Sequence, residues 1–374
     1  MIGIEGQYVV RFSLGDTVDF VSPENLLEFT LIEEAGNVLP SFEFIFSLED
    51  TTDLLYKLHE GNTLSVSMGA DTQGMTTVEL VPLSRTIEKQ GDSRYLVRLT
   101  GLYNAMEYIL DCKSRAFASK SGVEVMKTVA GSHFTVDSNV DSSNDSQTWI
   151  QPNVSDKKFM NNLWVHSDMN TSFIAVGITS DGNFVIRDII TLLDQDPHWR
   201  FVKQETGRDN EIIYDGDFVV DPDTGFLNQW VGYERTRVVS DLKTGSQTSI
   251  SPSLNSMFIE GALEKLSTVG RRVAESTVIN TDNTHAKYWE SRLHNITHLA
   301  VFSSFKLFVS YQKRYVPMKI LDIGYISDKE SEAKQSAVLS HSGQFLITKI
   351  SRSLTNNQFV TTCELNRESS ILSS

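Results

Sequence analysis

The sequence contains little cysteine and no segment suited to a membrane. Its two cysteines, Cys112 and Cys363, lie far apart in the 374 residues and lack the spacing of a metal site. This opposes a disulfide framework and favours two buried thiols. No run of about 18 apolar residues occurs, and the N-terminus has neither a basic leader nor an apolar signal core. We therefore expect the whole chain to be the mature protein, made and kept in a cytoplasm.

Basic residues are scarce relative to acidic ones. The chain has 33 Lys and Arg against 48 Asp and Glu, a formal net charge of −15. Such an excess of acidic residues argues against a protein that binds the phosphate backbone of nucleic acid over its whole surface. It is compatible with a protein that lets nucleic acid pass without binding it. With 40% hydrophobic and 22% charged residues, the chain has the composition of a folded protein and material for about two or three cores.

Motifs for catalysis or metal binding are also missing. The sequence contains no glycine-rich phosphate loop, nucleophile elbow or Cys/His cluster. His294 and His298 have the spacing of a zinc-binding helix, but Asn295 stands where a metalloprotease has its glutamate base. The acidic turns at 215–217 and 221–225 depart from the calcium-loop spacing and are interpreted as solvated turns. We assign no catalytic, metal or cofactor residue.

The first third of the chain has the period of β-strands. Apolar residues alternate over 42–48, 64–68 and 95–99, with turn signals between these segments. An antiparallel meander that closes into a small barrel is the simplest way to bury one face of each strand. We therefore expect a β-barrel over residues 1–110.

Helical patterns begin after residue 110. The segment 121–131 has a capping-box pattern and ends in a glycine suited to a left-handed position, which predicts a helix. Ser155 is a plausible N-cap of a second helix, and Asp181-Gly182 marks the turn of a hairpin. Residues 111–200 should form a mixed helix and hairpin unit. Core packing is the preferred role of three tryptophans, Trp149, Trp164 and Trp289.

The remaining chain is less regular. The Ser/Thr/Gly-rich segment 240–256 is typical of an exposed loop, and a helix is predicted from about Thr284. The last 75 residues return to strands and end in a hairpin. That hairpin has a glycine, an aromatic residue, alternating β-branched residues, a polar turn, and an aromatic-led strand that ends in leucine and a basic residue. These positions are Gly343, Phe345, Ile347, Ile350, Phe359, Leu365 and Arg367.

Two further patterns accompany this hairpin. Ser155, Phe159 and Leu163 form an S-x-x-x-F-x-x-x-L helix opening, and Gly182 and Asp188 mark the next hairpin. Together with the order of the elements, they resemble the baseplate hub proteins of contractile phage tails. The T-even hub, the Mu-like hub and the N-terminal part of type VI secretion spike proteins share this plan. The resemblance covers nearly the whole chain.

The resemblance implies a mainly β fold with two small antiparallel barrels and a mixed domain. The first barrel would span 1–110 and the mixed domain 111–200. The second barrel would be discontinuous, from 201–240 and 300–368, with 241–299 inserted as a separate unit. The final hairpin would close this second barrel. Because the chain stops there, the spike would be a separate polypeptide.

The resemblance also implies a structural role in the virion. Three chains would present six barrels in a pseudo-sixfold ring that joins a sixfold tail tube to a threefold central spike. The expected partners are the chain itself, the spike, tube or tube-initiator proteins and wedge proteins. DNA would pass through an acidic lumen without specific binding, and neither cofactor nor membrane insertion is implied.

Three alternatives remain open at this stage. A tail-associated cell-wall hydrolase would need converging titratable residues, for which no motif exists. A carbohydrate-binding adhesin would expose aromatic platforms on loops, whereas the aromatics here fall mostly on alternating strand faces. A distal tail or tube protein would fit the same particle but is usually a smaller, single barrel.

Overall fold

The computed structural model of the protein describes most of the chain. It covers residues 2–4, 8–22, 24–49, 56–57, 62–69, 75–91, 93–169, 172–202, 211–213, 219–220, 235–241, 244–250, 272–278, 283–302, 305–312, 315–327, 342–355 and 358–367. The described chain is mainly β-structure. None of the described helices combines the length and apolar character needed to cross a membrane.

The strands of the N-terminal region are antiparallel and form part of one large sheet. They are β1 (Ile2–Ile4), β2 (Tyr8–Leu14), β3 (Thr17–Val18), β4 (Leu26–Glu34), β5 (Ser41–Glu49), β6 (Leu64–Gly69), β7 (Thr76–Gln90) and β8 (Arg94–Tyr103). The strands predicted at 42–48, 64–68 and 95–99 are confirmed. Their order, β1-β2-β6-β7-β8-β5-β4, is not a simple meander, because β8 pairs with both β7 and β5.

Phenylalanines on alternate positions form the core of this sheet. The rings of Phe12 and Phe44 stack with centroids 4.5 Å apart, and Phe29 meets both rings edge-on. Such aromatic pairs each add roughly 0.5–1.5 kcal/mol beyond the burial of apolar area. The apolar alternation seen in the sequence therefore decides which face of each strand is buried.

The middle region mixes short helices with two small sheets. Its elements are α1 (Met106–Leu110), β9 (Cys112–Lys120), α2 (Gly122–Ala130), β10 (Thr135–Ser138), β11 (Gln147–Ser155), α3 (Asp156–His166), β12 (Ile174–Ile178), β13 (Asn183–Asp188) and α4 (Ile189–Leu193). Strands β10, β13 and β12 form one sheet, and β9 pairs with β11 in a two-stranded ribbon. The helices at 122–130 and 156–166 and the β12–β13 hairpin confirm the prediction. Sequence patterning missed α1, β9, β10 and β11.

Both predicted helices begin where the sequence indicated. The capping box of α2 is complete: Glu124 N donates to Ser121 Oγ at 3.2 Å, and Ser121 N donates to the Glu124 carboxylate at 2.8 Å. Gly131 ends α2 as expected, but its φ of −62° is right-handed, so the predicted left-handed conformation is wrong. Trp149 is buried in the core of this region, as expected, and Trp164 packs against that core partly buried.

The C-terminal region returns to strands around one long helix. Its elements are β14 (Trp199–Val202), β15 (Glu211–Ile213), β16 (Val219–Val220), β17 (Arg235–Asp241), β18 (Gln247–Ile250), β19 (Arg272–Val278), α5 (Asn283–Phe302), β20 (Phe305–Gln312), β21 (Ile323–Ser327), β22 (Gly343–Thr355) and β23 (Gln358–Arg367). The predicted helix from about Thr284 and the final hairpin are confirmed. The loop predicted at 240–256 is wrong in part, because β18 pairs with β17 there.

The final hairpin joins the two ends of the chain into one sheet. Strand β22 pairs with β4 from Lys349 opposite Glu34 to Thr355 opposite Glu28, while β23 lies on its other edge. The tip of this hairpin contributes Leu354 and Phe359 to the N-terminal core. Its base contributes to a second core with β14, β15, β20 and β21. We name β20, β23, β22, β4, β5, β8 and β7 the joined sheet. No sheet closes on itself among the described strands.

Candidate functional surface of the joined sheet

One side of the joined sheet is polar and accessible to solvent. We name this side the paired-charge face. Its residues are Lys306, Phe308, Ser310, Gln358, Val360, Thr362, Glu364, Lys349, Ser351, Ser353, Thr355, Glu28, Thr30, Ile32, Glu34, Glu43, Ile45, Glu49, Arg94, Leu96, Arg98, Thr100, Ser84, Thr86, Glu88 and Gln90. All are half-buried or exposed. In β4 and in β22 from Lys349 onward, the alternate residues point into the two cores.

Hydroxyl groups line the centre of this face. At the boundary between β4 and β22, Thr30 Oγ1 and Ser353 Oγ lie 2.9 Å apart. Ser310 Oγ and Thr362 Oγ1 lie 3.1 Å apart between β20 and β23. Cross-strand pairs of this kind contribute roughly 0.2–1 kcal/mol each and fix the register of the strands. The face is therefore continuous across the junction between the two halves of the chain.

Every basic side chain of this face lies beside a carboxylate of the same face. The N to O distances are 3.2 Å for Lys306–Glu364, 3.9 Å for Lys349–Glu34, 2.5 Å for Arg98–Glu43 and 4.0 Å for Arg94–Glu49. Two further carboxylates, Glu28 and Glu88, give the face a surplus of two negative charges. Three of these pairs are largely exposed, and such pairs stabilise a fold by only about 0–1 kcal/mol, whereas Lys306 and Glu364 are half-buried. All four carboxylates neutralise a cation of the face.

A buried ion pair lies beneath this face at the β4–β22 junction. Arg352 Nη1 is 3.1 Å from Glu33 Oε2, and both side chains are about 5% exposed or less. Arg352 also donates to the Met318 carbonyl at 2.7 Å, and Ser180 N donates to Glu33 at 2.6 Å. Burial would lower the pKa of Arg352, but the Glu33 carboxylate outweighs burial and raises it. The pair therefore ties β4, β22 and the β12–β13 turn together.

A second buried carboxylate fixes the β9–β11 ribbon to α3. Asp156 accepts hydrogen bonds from His133 at 2.8 Å, Lys113 at 2.9 Å, Arg115 at 2.5 Å and Gln151 at 2.8 Å. Burial would raise the pKa of Asp156, but these hydrogen bonds and charges lower it to about 2. All the polar atoms of this carboxylate are engaged by structural partners, which favours a structural role.

Helix α5 is held on the middle region by polar contacts with α3. Asn295 Nδ2 donates to the carbonyls of Val165 at 3.0 Å and Ser167 at 2.7 Å, at the C-terminal end of α3. The rings of His166 and Tyr288 stack with centroids 3.6 Å apart. Asn295 thus satisfies carbonyls that a helix end leaves without partners in its own backbone.

Of the residues weighed for metal binding, the described structure includes the side chain of His294. His294 is half-buried on α5, and the side chain of His298 lies outside the described residues, as does that of Trp289. The acidic turns at 215–217 and 221–225 also lie outside them. Across the described ranges no group of three or more metal-ligating side chains is found. Of the two cysteines, Cys363 is buried as predicted, but Cys112 is exposed, so that part of the prediction is wrong.

The residues that carry the family resemblance have structural positions. Ser155 caps α3, accepting from Lys158 N at 3.4 Å, while Phe159 and Leu163 are buried in the middle core. Gly182 has a φ of +80° in the hairpin turn, and Asp188 caps α4 by accepting from Ile190 N. These residues shape the fold rather than a reactive site.

The end of the final hairpin is also structural. The Arg367 guanidinium lies 4.3 Å from the ring centroid of Phe345 and donates to the Ser342 carbonyl at 3.2 Å.

Sequence patterning missed the ion pairs of the paired-charge face. A sequence signal for these pairs was present. Four glutamates occupy the polar positions of β4 and β5, on the side away from the buried phenylalanines and leucines: Glu28, Glu34, Glu43 and Glu49.

Comparison with known proteins gives matches only at the level of structure. No protein-family model and no curated protein matches the sequence. A tail protein from Neisseria meningitidis MC58 has a TM-score of 0.61 at 12% identity and covers 98% of each chain. The 43 kDa tail protein of prophage MuSo2 from Shewanella oneidensis has a TM-score of 0.61 at 9% identity, with 97% of this chain and 99% of that chain covered.

A third match is a chain of the Francisella PdpA–VgrG complex. Its TM-score is 0.55 at 8% identity, and the alignment covers 98% of this chain but 59% of that one. In each of these comparisons the likeness extends over nearly the whole of the present chain. The protein therefore shares its fold with these two tail proteins, one of them from a prophage, and with a chain of a PdpA–VgrG complex.

Proposed function

We propose that this protein is the central hub of a contractile tail baseplate, located in the tail of a virion. The observation that carries the proposal is the joined sheet, in which β22 pairs with β4 and presents one continuous face with paired charges. The fold shared with phage tail proteins supports it. On this reading the protein has a structural role and no enzymatic activity.

In the proposed assembly three chains form a ring. Each chain contributes two barrel-like halves, one from 1–110 and one from 201–240 with 300–368, around the shared β4–β22 junction. The mixed domain 111–200 and the inserted unit 241–299 lie outside the ring. Six similar halves then match a sixfold tail tube on one side, while the threefold symmetry matches a central spike on the other. Wedge proteins would surround this ring.

We place the paired-charge face on the wall of the central channel. A channel that passes DNA must not hold its phosphates. Proteins hold DNA phosphates mainly through lysine and arginine charges, which displace the counterions condensed on the DNA. Here each basic side chain of the face is beside a carboxylate, and two carboxylates are in surplus. The hydroxyl-rich centre of the face adds no charge. DNA would therefore pass without specific binding.

Electron microscopy of the purified protein, with its mass measured by light scattering, tests the ring. We expect end-on views of a threefold or pseudo-sixfold ring with a central hole, either alone or after addition of the candidate spike protein. Particles that remain monomeric in the presence of the spike would refute the trimer. Degradation of peptidoglycan by the purified chain would refute the absence of enzymatic activity.

Cysteine labelling tests which face lines the channel. In a Cys112→Ser background, Ser310→Cys places a thiol on the paired-charge face, and the control Ser114→Cys places one on the exposed side of β9. The label is a maleimide attached to a second, folded protein. That carrier protein is too wide to enter a channel with the diameter of duplex DNA. In the ring, only the control should react. Equal reaction at both positions would show that the paired-charge face points outward.

A further inference from the structure

The connection between β20 and β21 lies between the joined sheet and the middle region. We name residues 316–322 of this connection the clamp segment. Its end is hydrogen-bonded to β22 in both directions. Leu321 N donates to the Ile347 carbonyl at 2.7 Å, and Ile347 N donates to the Asp322 carbonyl at 3.0 Å. The backbone of the clamp segment is therefore fixed to the joined sheet.

The other side of the clamp segment packs on the middle region. Lys319 Nζ is 3.2 Å from Asp181 Oδ2 in the β12–β13 turn. A Cβ at Gly177 of β12 would lie 2.7 Å from Ile320 Cδ1, so only glycine allows this close approach. The Leu321 side chain is buried in a core with residues of β12, β13 and α4. The clamp segment therefore helps to hold β12 and β13 against the joined sheet.

The backbone of the clamp segment is strained. Leu321 is fully buried and has a φ of +63°, in the left-handed region. A residue other than glycine in this region costs free energy and persists only where its surroundings fix it. Such strain is frequent in segments that switch between two arrangements. Because opening of the segment releases the strain, it lowers the free energy needed for opening.

Asp322 adds a carboxylate without a donor to this contact. Its side chain is half-buried, and no donor in the described part of the chain lies within hydrogen-bond distance of the carboxylate oxygens. Burial without a partner disfavours the charged form of such a group. The charged and titratable groups that face this carboxylate come from β10, β13, the clamp segment and the residue before β14: Asp137, Arg187, Lys319 and His198.

The two cations of this cluster are engaged by other carboxylates. Arg187 Nη2 is 2.8 Å from Asp137 Oδ2, and Lys319 is paired with Asp181. Burial raises the pKa of Asp322 above its ordinary value of 3.8, although both cations oppose this shift. The hydrogen bond from Arg187 lowers the pKa of Asp137, so Asp137 remains ionised where Asp322 takes up its proton.

The sign of the effect on stability follows from linkage. The folded chain binds the Asp322 proton more tightly than the unfolded chain, so protonation stabilises the closed contact. This stabilisation is complete below pH 3.8 and is lost as the pH rises through the raised pKa. At neutral pH the carboxylate is ionised, and water that reaches it on opening favours the open segment.

We propose that residues 316–322 form a proton-sensitive clamp, which holds β12 and β13 more tightly on the joined sheet when Asp322 is protonated than when it is ionised. The unpartnered carboxylate and the strain at Leu321 both favour opening at neutral pH. The middle region therefore moves more readily relative to the sheet at neutral pH than in acid. This inference goes beyond the ring assembly and does not depend on it.

Hydrogen exchange of the full chain, measured by mass spectrometry on peptides from β12 and β13, tests the clamp. Rates between pH 4 and 8 are corrected for the intrinsic pH dependence of amide exchange. In the unaltered chain, protection of these strands should increase as the pH falls from 7. Protection that stays constant or decreases over the first two pH units below 7, where the lowered pKa of Asp137 leaves it ionised, would contradict the proposal.

Asp322→Asn keeps the size of the side chain and removes its charge. At pH 7, exchange in β12 and β13 should be about three- to tenfold slower than in the unaltered chain, near the lower end of the cost of an unpartnered polar group because Asp322 is only half-buried. The difference should shrink as the pH falls towards 4. Equal rates in the two chains at pH 7 would overturn the proposal.

Two controls separate the clamp from other effects of charge. Asp141→Asn removes an exposed carboxylate of the same region and should leave exchange in β12 and β13 unchanged. Histidine side chains also change charge between about pH 5 and 8, so Asp322→Asn is repeated in a His198→Gln background. The slower exchange at pH 7 should persist there. Its disappearance would assign the effect to His198 and refute the role of Asp322.

Discussion

The buried pair of Glu33 and Arg352 should contribute strongly to stability, although it lies beneath a surface whose own ion pairs contribute little. Glu33→Gln removes the carboxylate but keeps the size of the side chain. The Arg352 charge then remains buried at about 5% exposure, without a carboxylate at Glu33's position, and keeps its hydrogen bond to the Met318 carbonyl. Breaking a buried pair from one side typically costs about 3–5 kcal/mol, so we expect a loss of that size.

Chemical denaturation followed by circular dichroism measures this loss as a lower midpoint with an unchanged slope. The matched control is Glu43→Gln, which breaks the exposed pair with Arg98 and should cost less than about 1 kcal/mol. A double variant, Glu33→Met with Arg352→Met, removes both charges and should recover most of the loss. A single Glu33→Gln that costs no more than Glu43→Gln would refute the reasoning.

Two further predictions concern the middle region. The lowered pKa of Asp156 means that its ionised form stabilises the fold above the ordinary value of 3.8, and this stability is lost as the pH falls towards about 2. Acid unfolding of Asp156→Asn should therefore show less dependence on pH in that window; an unchanged profile would contradict the assignment. Asn295→Ala should leave carbonyls at the end of α3 without their donor and cost about 1–3 kcal/mol. Hydrogen exchange should then rise in α3 and α5, and unchanged protection there would show that Asn295 does not hold the helices together.

Local patterns in the sequence were sufficient for many elements. The alternation over 42–48 predicted the buried face of β5, and the capping box at 121–124 predicted the start of α2. Asp181-Gly182 predicted the β12–β13 turn, and the final hairpin was predicted from its own alternation. Each of these depends on neighbouring residues within about one turn or one strand. Their physical cause is therefore present in the local sequence.

Segments with mixed patterns were not predicted. The alternation of β9 is hard to recognise, because its packed side carries Lys113 and Arg115 beside a single aromatic residue, Phe117. Only the fold brings Asp156 to these cations and so allows them to be half-buried. The exposure of Cys112 follows from the same ribbon, since it begins the strand on the side away from the core.

The sequence by itself determined the strands and helices with regular patterns and the faces that they bury, whereas the tertiary structure alone decided which strands are partners. Thr30 meets Ser353, 323 residues further along the chain, and Glu33 meets Arg352, 319 residues away. Any exposed strand edge offers the same backbone donors and acceptors, so alternation cannot select β4 as the partner of β22. The packing of both cores and one buried ion pair make that selection. The continuous face with its paired charges exists only because of that pairing.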